Sequence, residues 1–324
     1  MSKKLSKYSM WLILFLLLIS LLVFCNIRYQ LFAINSINKI NKDDNCIRIM
    51  TFNVGAPDSV AFRNSICDRI VALLHEHKPD IVCFQELSDE NHICIKPQLE
   101  EMYGFHDSLD AVDRYWRKMF YMRYPACNYR RHYCIGDVDV SDMDEVTVRE
   151  IERMRIEFPM RTVDFEYTHG KWIRLFSAHL RSSAYSTVRR SMPEDSQWWE
   201  GIPMYYSNYK NGKAIRDYEA QNVRRLMDES INEGLPTILV GDLNDWSGSD
   251  CMDILQGCGS RKMRDAWWEV GNGFGFTFHG WHMHLRLDHI LVSNNIEVLQ
   301  AKVVDTNISD HKPLVVDFKV KNTQ

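Results

Sequence analysis

The chain has 324 residues, of which 45% are hydrophobic and 12% aromatic. A chain of this composition can bury a large core, so intrinsic disorder and fibrous structure are excluded. Its 43 acidic residues outnumber its 39 basic residues, which disfavours a generally basic surface that holds nucleic acid by releasing counterions. The nine cysteines form no CxxC pair and no finger-like spacing with histidine, which argues against a structural zinc module.

The N-terminus contains a long apolar run. Residues 10–25 are apolar apart from Ser20, and with the two preceding residues they approach the roughly 17 to 25 residues that cross a bilayer. We predict an uncleaved transmembrane signal anchor at 10–27. A cleaved signal peptide is the alternative, although no A-x-A-like site follows the run. Lipidation of Cys25 is disfavoured because bulky Phe24 precedes it.

Basic residues set the predicted orientation of this anchor. Lys3, Lys4 and Lys7 precede the apolar run, and basic residues favour the cytoplasmic side of a membrane. We therefore predict a cytoplasmic N-terminus at 1–9 and a single-pass membrane protein whose catalytic domain is extracytoplasmic. A polar linker at 28–45 joins the anchor to that domain, which is predicted at 46–320.

Short apolar runs then alternate with helical patterns. A strand is predicted at 47–54, and apolar residues at helical spacing from Phe62 to Leu74 predict a helix that ends before Pro79. A buried strand follows at 81–84, and the region 185–212 is predicted to be a long loop. Alternating strands and helices indicate a layered α/β fold. The remaining predicted elements are strands at 172–180, 237–240, 287–292 and 314–320 and an amphipathic helix at 223–231.

Polar residues occur within or just beyond these apolar runs. Any one of them alone is more often a turn former or a satisfied core residue, but eight together indicate a site, because α/β enzymes gather strand ends at one edge of a sheet. The eight residues are Asn53, Glu86, His179, Asp242, Asn244, Asp288, Asp310 and His311.

This set of side chains suits metal-assisted attack of water on phosphorus. Carboxylate and amide oxygens are hard ligands that match Mg²⁺, with Mn²⁺ as a substitute. A carboxylate can activate water and imidazoles can donate to phosphoryl oxygens. The sequence contains neither a G-x-S-x-G elbow nor a P-loop, which weakens acyl transfer and nucleotide-driven phosphoryl transfer.

Six segments in order resemble the signature of the endonuclease/exonuclease/phosphatase superfamily, which is DNase I-like. The resemblance covers residues 46–320, includes membrane-anchored bacterial members, and implies a four-layer α/β sandwich with two facing mixed β-sheets. The segments are MTFNVGAP (50–57), DIVCFQEL (80–87), FSAHLRS (176–182), ILVGDLND (238–245), RLDHILVS (286–293) and SDHKPLVVDF (309–318).

The same resemblance implies a role for each matching residue. Glu86 would be the main magnesium ligand, with Asn53 and Asp310 close to the metal. Asp242 would activate the attacking water and Asn244 would hold a phosphoryl oxygen.

The histidines would act beside the phosphate. His311 would face the phosphate and be oriented by Asp288, and His179 would assist on the phosphate or leaving-group side. Gly55 and His179 stand where exonuclease III-like repair enzymes carry aspartate and tyrosine, which disfavours abasic-site repair.

Weaker signals leave alternatives open. Arg286 and Arg181 are predicted to contact substrate phosphate, although Arg286 equally suits a structural ion pair. Aromatic and basic residues at 181–213 suit base stacking, a lipid interface or the packing of a lid. A transition-metal site formed by the histidines at 279–289 is disfavoured. In an exported domain the candidate disulfides are Cys127–Cys134 and Cys251–Cys258, and buried free thiols are the alternative.

The sequence therefore predicts a membrane-anchored, Mg²⁺-dependent hydrolase of phosphate esters, first of all a nuclease. The alternative is a phosphodiesterase or phosphatase that acts on lipid headgroups or small phosphate esters, and a non-catalytic binding protein on the same scaffold is the least favoured. The predicted partners are a phosphate-ester substrate, either nucleic acid or a lipid headgroup, and the membrane; no protein partner is predicted.

Overall fold

A computed structural model describes residues 11–21, 41–43, 45–55, 60–106, 117–133, 148–149, 159–182, 198–280 and 283–321. Residues 11–21 are helical and lie within the predicted anchor, whose remaining residues fall outside the described ranges. In those ranges, no helix combines the length and apolar character that a membrane crossing requires.

Fourteen strands and five helices follow within the described ranges. The strands are β1 (Ile47–Asn53), β2 (Ile81–Leu87), β3 (Phe105–His106), β4 (Arg117–Met122), β5 (Ala126–Tyr133), β6 (Pro159–Thr168), β7 (Lys171–His179), β8 (Thr237–Asp242), β9 (Arg264–Asp265), β10 (Phe278–Gly280), β11 (Met283–Leu285), β12 (Asp288–Val292), β13 (Ile296–Val303) and β14 (Leu314–Val320). The helices are α1 (Val60–His77), α2 (Asp89–Met102), α3 (Ile202–Asn232), α4 (Asp250–Gln256) and α5 (Ala266–Val270).

The strands form two mixed six-stranded sheets and one short hairpin. The first sheet has the order β13-β14-β1-β2-β4-β3, and the second has the order β5-β6-β7-β8-β12-β9. β1 and β2 are parallel in the first sheet, and β7 and β8 are parallel in the second. Strands β10 and β11 form the separate hairpin.

Alternation of side chains along each strand produces the layers. Ile49 of β1 and Val240 of β8 belong to one buried cluster between the two sheets. The alternate residue Met50 packs with residues of α1 and α2, and Leu239 packs with residues of α3 and α4. Because successive strand residues point to opposite faces, the order of layers is helix, sheet, sheet, helix. The predicted α/β sandwich with two mixed sheets is confirmed.

The helix α3 differs from the prediction of a long loop at 185–212. It begins at Ile202 and spans 31 residues, so the second part of the predicted loop is helical; 183–197 fall outside the described ranges. Pro203 misled the composition argument, because proline is tolerated in the first turn of a helix. Gly212 costs only about 1 kcal/mol relative to alanine in a helix interior.

The cysteines that can be compared with the prediction are free thiols. Cys251 is buried and Cys258 is exposed, and the structure has no bond between them. Cys127 is also a free thiol, while its suggested partner Cys134 falls outside the described ranges. Cys83 is buried in β2, as the alternative of buried thiols expects.

Candidate active site

Strand register brings the polar residues of each sheet together. In the second sheet, His179 of β7 lies opposite Asp242 of β8, which lies opposite Asp288 of β12. In the first sheet, Asn53 ends β1 and Glu86 lies near the end of its parallel neighbour β2. The carboxyl ends of parallel strands meet at one edge of a sheet, so each sheet presents its polar group at that edge.

Asn53 connects the two sheets. Its side-chain Nδ2 donates to Glu86 Oε1 at 3.1 Å in the first sheet and to Asp242 Oδ2 at 2.9 Å in the second. Asn53 and Asp242 are each only 1% exposed. The two halves of the predicted site therefore form one pocket, and the carboxylates are held by a neutral amide.

Unusual backbone conformations position two of these side chains. Glu86 has φ 54° and Asn244 has φ 53°, a left-handed region that non-glycine residues rarely adopt. At Glu86 the pairing of β2 with β4 shifts register between Phe84 and Leu87. Such strain persists where the surrounding structure enforces it, often at active sites.

A glycine allows the strands that carry His179 and Asp242 to approach closely. Gly241 has φ 144°, and a Cβ atom there would lie 1.8 Å from the carbonyl oxygen of Ala178 on β7. Only glycine fits, because any side chain would push the two strands apart. The glycine of the GDLND segment is thus required by strand packing.

Two histidines contact the carboxylates of the pocket. His311 Nδ1 lies 2.7 Å from Asp288 Oδ2, and its Nε2 lies 3.6 Å from Asp242 Oδ2. His179 Nε2 lies 3.5 Å from both Glu86 Oε1 and Asp242 Oδ2. The contact with Asp288 fixes the orientation of the His311 ring and leaves Nε2 directed at the pocket.

Electrostatics favour a charged His311. Burial disfavours its charged form, but Asp288 and Asp242 outweigh burial and raise the pKa of His311 to about 10. Burial raises the pKa of Asp242 to about 7, and the charges of Asp288 and Glu86 act in the same direction. A cation and a carboxylate of raised basicity side by side suit proton transfer next to a phosphate anion.

Three oxygen atoms surround a space beside Gly55. The position that a Cβ atom of Gly55 would occupy lies 3.3 Å from Asp310 Oδ1 and 3.6 Å from both Asn53 Oδ1 and Glu86 Oε2. A set of two carboxylate oxygens and one amide oxygen is the donor chemistry of Mg²⁺ or Mn²⁺. The predicted metal ligands therefore fit a hard divalent cation.

The acidic and histidine groups that could hold a metal among the described residues lie at this pocket. One group is Glu86, His179 and Asp242, and the other is Asp242, Asp288 and His311, with ligand atoms within 4.8 Å of one another in each group. Asp242 belongs to both groups and lies at the centre of the pocket.

A sequence profile decides the family. The profile of the endonuclease/exonuclease/phosphatase family matches residues 50–311. The chain belongs to this family. Members of the endonuclease/exonuclease/phosphatase family hydrolyse phosphate esters and depend on divalent metals, so the prediction of a metal-dependent phosphate-ester hydrolase is confirmed. No curated protein matches the sequence.

Several solved structures share this fold. A family protein of Bacteroides thetaiotaomicron superimposes with a TM-score of 0.61 at 17% identity, over 86% of this chain and 99% of that chain. The mannosyl-6-phosphatase of the same species gives 0.59 at 18% identity, over 84% and 99%. The human Nocturnin catalytic domain with bound sulfate gives 0.58 at 15% identity, over 86% and 95%. The TM-scores show a common fold, and at these identities the likeness shows the fold alone.

The remaining predicted site residues of this family member lie beside the pocket. Asn244 donates its backbone N–H to Asp242 Oδ1 at 2.9 Å and its Nδ2 to the carbonyl of Leu180 at 2.9 Å. Arg181 donates its backbone N–H to Glu219 Oε2 at 2.7 Å. The substrate roles of Asn244 and Arg181 stay predictions.

Arg286 lies in a buried ion pair that the sequence does not reveal. Its Nη1 donates to both carboxylate oxygens of Asp265, at 2.9 and 2.8 Å. His289 Nδ1 lies 3.1 Å from the same carboxylate, and its Nε2 lies 2.9 Å from the carbonyl of Asp245. Arg286 therefore forms the structural ion pair that was the alternative interpretation of its sequence position. Its contact with substrate stays a prediction.

Two supporting residues were missed by the sequence reasoning. Arg216 of α3 is fully buried, and its Nε donates to Asp245 Oδ2 at 3.1 Å. Asp265 accepts from the backbone N–H of Trp267 at 2.9 Å and caps α5. The aspartate that begins the DAWW segment (265–268) is a sequence signal for a cap, but nothing in the sequence pairs it with Arg286.

Proposed function

We propose that the chain is a Mg²⁺-dependent nuclease that hydrolyses phosphodiesters by direct attack of water. The observation that carries this proposal is the bridge from Asn53 to Glu86 and Asp242, because it joins a hard-oxygen metal site to a carboxylate of raised basicity. The first sheet supplies Asn53 and Glu86 of the metal site, and the second sheet supplies Asp242.

The described side chains suit separate tasks in this reaction. Glu86, Asn53 and Asp310 would hold Mg²⁺, which when bound offsets phosphate charge and polarises the phosphorus centre. Asp242 would orient water and accept its proton. His311 would donate to a phosphoryl oxygen.

His179 and Asn244 complete the assignment. His179 lies between Glu86 and Asp242 and would donate to the departing oxygen or to the phosphate. Asn244 would contact a phosphoryl oxygen from the loop after β8. No covalent intermediate on the protein is needed, because water is the nucleophile.

A small-molecule phosphatase is the second candidate. It is favoured by the likeness to the mannosyl-6-phosphatase of Bacteroides thetaiotaomicron. It is also favoured by the pairing of basic side chains near the pocket: Arg286 with Asp265, and Arg216 with Asp245. Cations used in buried pairs add little to the attraction of a polyanion.

We further propose that residues 10–27 tether the domain to a membrane with the active site on the extracytoplasmic side. The apolar sequence of residues 10–25 and the preceding lysines support this location. The orientation is tested by fusing, after the catalytic domain, a reporter enzyme that is active on only one side of the membrane. Reporter activity in the cytoplasm would reverse it.

Substrate panels test the nuclease proposal. The full chain in detergent is incubated with DNA, RNA, a sugar phosphate, sphingomyelin and phosphoinositides, in Mg²⁺ or EDTA. We expect nucleic-acid cleavage that EDTA abolishes and that Asp242→Asn lowers by about 10²-fold or more, the scale of general acid–base catalysis. Turnover of a sugar phosphate or lipid without nucleic-acid cleavage would select the second candidate.

Matched controls separate chemistry from folding. Glu86→Gln removes the charge of the main metal ligand, whereas Glu297→Gln makes the same change at an exposed position of β13. Asp253→Asn, at an exposed position of α4, is the matched control for Asp242→Asn. The two surface variants should retain full activity, and cleavage that persists in EDTA would refute the metal role.

A further inference from the structure

Two exposed tryptophans lie close to segments that carry active-site residues: Trp246 is in the loop after β8, and Trp268 is in helix α5 and contacts Arg286. Trp246 is 38% exposed and Trp268 is 51% exposed. Trp246 is two residues beyond Asn244, so their Cα atoms are at most about 7 Å apart. Exposed large aromatic rings beside a catalytic site commonly mark a binding surface.

Each ring is supported from one side by another side chain. The Tyr209 ring stacks on Trp246 with centroids 4.7 Å apart and an interplanar angle of 24°. The Arg286 guanidinium lies over Trp268 at 5.2 Å from the ring centroid. Such support holds the rings in place before a ligand arrives, which lowers the entropic cost of binding.

A hydrogen bond connects the support of Trp268 to the segment that carries Trp246. Arg286 Nη2 donates to the hydroxyl of Ser247, the residue after Trp246. Arg286 is itself two residues before Asp288, which orients His311. Arg286 therefore links the segment of Trp246 to the ring of Trp268, and Asp288 of the catalytic pocket follows it in the chain.

We infer that Trp246 and Trp268 form a stacking subsite for the nucleobase of the substrate, an inference that rests on the proposed nuclease function. A phosphate held at the Asp242–His311 pocket leaves the rest of the substrate to extend over the adjacent loops. Flat aromatic faces bind flat bases of any sequence and contribute about 1 to 3 kcal/mol per base. The subsite supplies affinity that the paired cations around the pocket do not.

Paired ligands test this subsite independently of hydrolysis. Adenosine 5′-monophosphate and ribose 5-phosphate carry the same phosphorylated sugar and differ in the base. Calorimetric titration of the full chain in detergent should give tighter binding of the adenosine compound. Trp246→Ala and Trp268→Ala should each weaken its binding by about tenfold and leave ribose 5-phosphate and inorganic phosphate unchanged.

Variants of Trp246 distinguish stacking from simple apolar contact. Trp246→Phe keeps a flat ring and should retain most of the preference for the base, whereas Trp246→Leu keeps apolar bulk and should lose it. Ile93→Ala removes a 72% exposed apolar side chain from α2 and should have no effect. Equal losses for all three ligands, or equal binding by the Phe and Leu variants, would overturn the inference.

Hydrolysis assays keep the two proposals separate. If the wild-type chain prefers the base-containing ligand but cleaves no nucleic acid, the subsite stands and the nuclease proposal fails. If Asp242-dependent cleavage occurs but the base adds nothing to binding, the nuclease proposal stands and the subsite fails.

Discussion

Removing the carboxylate of Asp265 from its buried pair with Arg286 should strongly destabilise the protein. Burial disfavours the Asp265 carboxylate, but Arg286 and His289 outweigh burial and lower the pKa of Asp265 from 3.8 to about 2. At about 1.4 kcal/mol per pKa unit this corresponds to about 2 kcal/mol of stability near neutral pH. The replacement Asp265→Asn should cost more, about 3 to 5 kcal/mol, because Arg286 then stays buried without a counter-charge.

The pH dependence has a definite sign. A carboxylate whose folded-state pKa is depressed stabilises the protein above its unfolded pKa and loses that contribution as pH falls through the folded value. The contribution of Asp265 should therefore be full above about pH 5 and decline between about pH 4 and pH 2. In Asp265→Asn this part of the acid sensitivity should disappear.

Urea unfolding of the full chain in detergent, followed by tryptophan fluorescence at several pH values, measures both effects. Asparagine can still accept the hydrogen bond from Trp267 that caps α5, so the cap is kept while the charge and one acceptor oxygen facing Arg286 are lost. Asp253→Asn, at an exposed position of α4, is the control. A cost below about 1 kcal/mol at neutral pH would refute the expectation that Arg286 is costly to bury without its counter-charge.

Two further predictions concern the pocket. Gly241→Ala should prevent stable folding, because its Cβ atom would lie 1.8 Å from the carbonyl oxygen of Ala178. Gly104→Ala is the control, because the space beside Gly104 is open, and it should leave the midpoint of thermal unfolding nearly unchanged. Similar thermal midpoints for the two variants would contradict the close approach of the strands. Asn53→Ala removes the bridge to Asp242 and should weaken the apparent affinity for Mg²⁺ by about 10- to 100-fold. The assay is the rate of hydrolysis as a function of Mg²⁺ concentration. An unchanged dependence on Mg²⁺ would exclude Asn53 from the metal site.

The location of the site could be predicted because its signal is local. His179 and Asp242 each stand at the end of an apolar run and Asp288 at the start of one, and strand register then makes them neighbours. Asn53 and Glu86 follow the same rule in the other sheet. The hydrogen bond from Asn53 to Asp242 joins the two sheets. It could not be predicted from any single segment of sequence, because it depends on how the sheets pack.

Other features could not be predicted, for physical reasons. Asp265 and Arg286 are 21 residues apart on different elements, and a pair of this kind produces no periodic pattern. Helix α3 begins among aromatic, Pro and Gly residues whose local preference favours a loop, so tertiary packing of its later turns decides its length. The strand 237–240 was predicted too short, because Gly241 and Asp242 lack the apolar character of the strand they complete.

The position of β14 has a consequence for the order of assembly. This strand comes late in the chain, yet it lies between β13 and β1, pairing Phe318 with Ile47 and Leu314 with Thr51. β1 therefore lacks one of its two neighbours until nearly all of the domain has been synthesised, and the end of β1 carries Asn53. A nascent polypeptide emerging from the ribosome should thus be unable to cleave phosphate esters, because its reaction centre is completed among the last steps of folding.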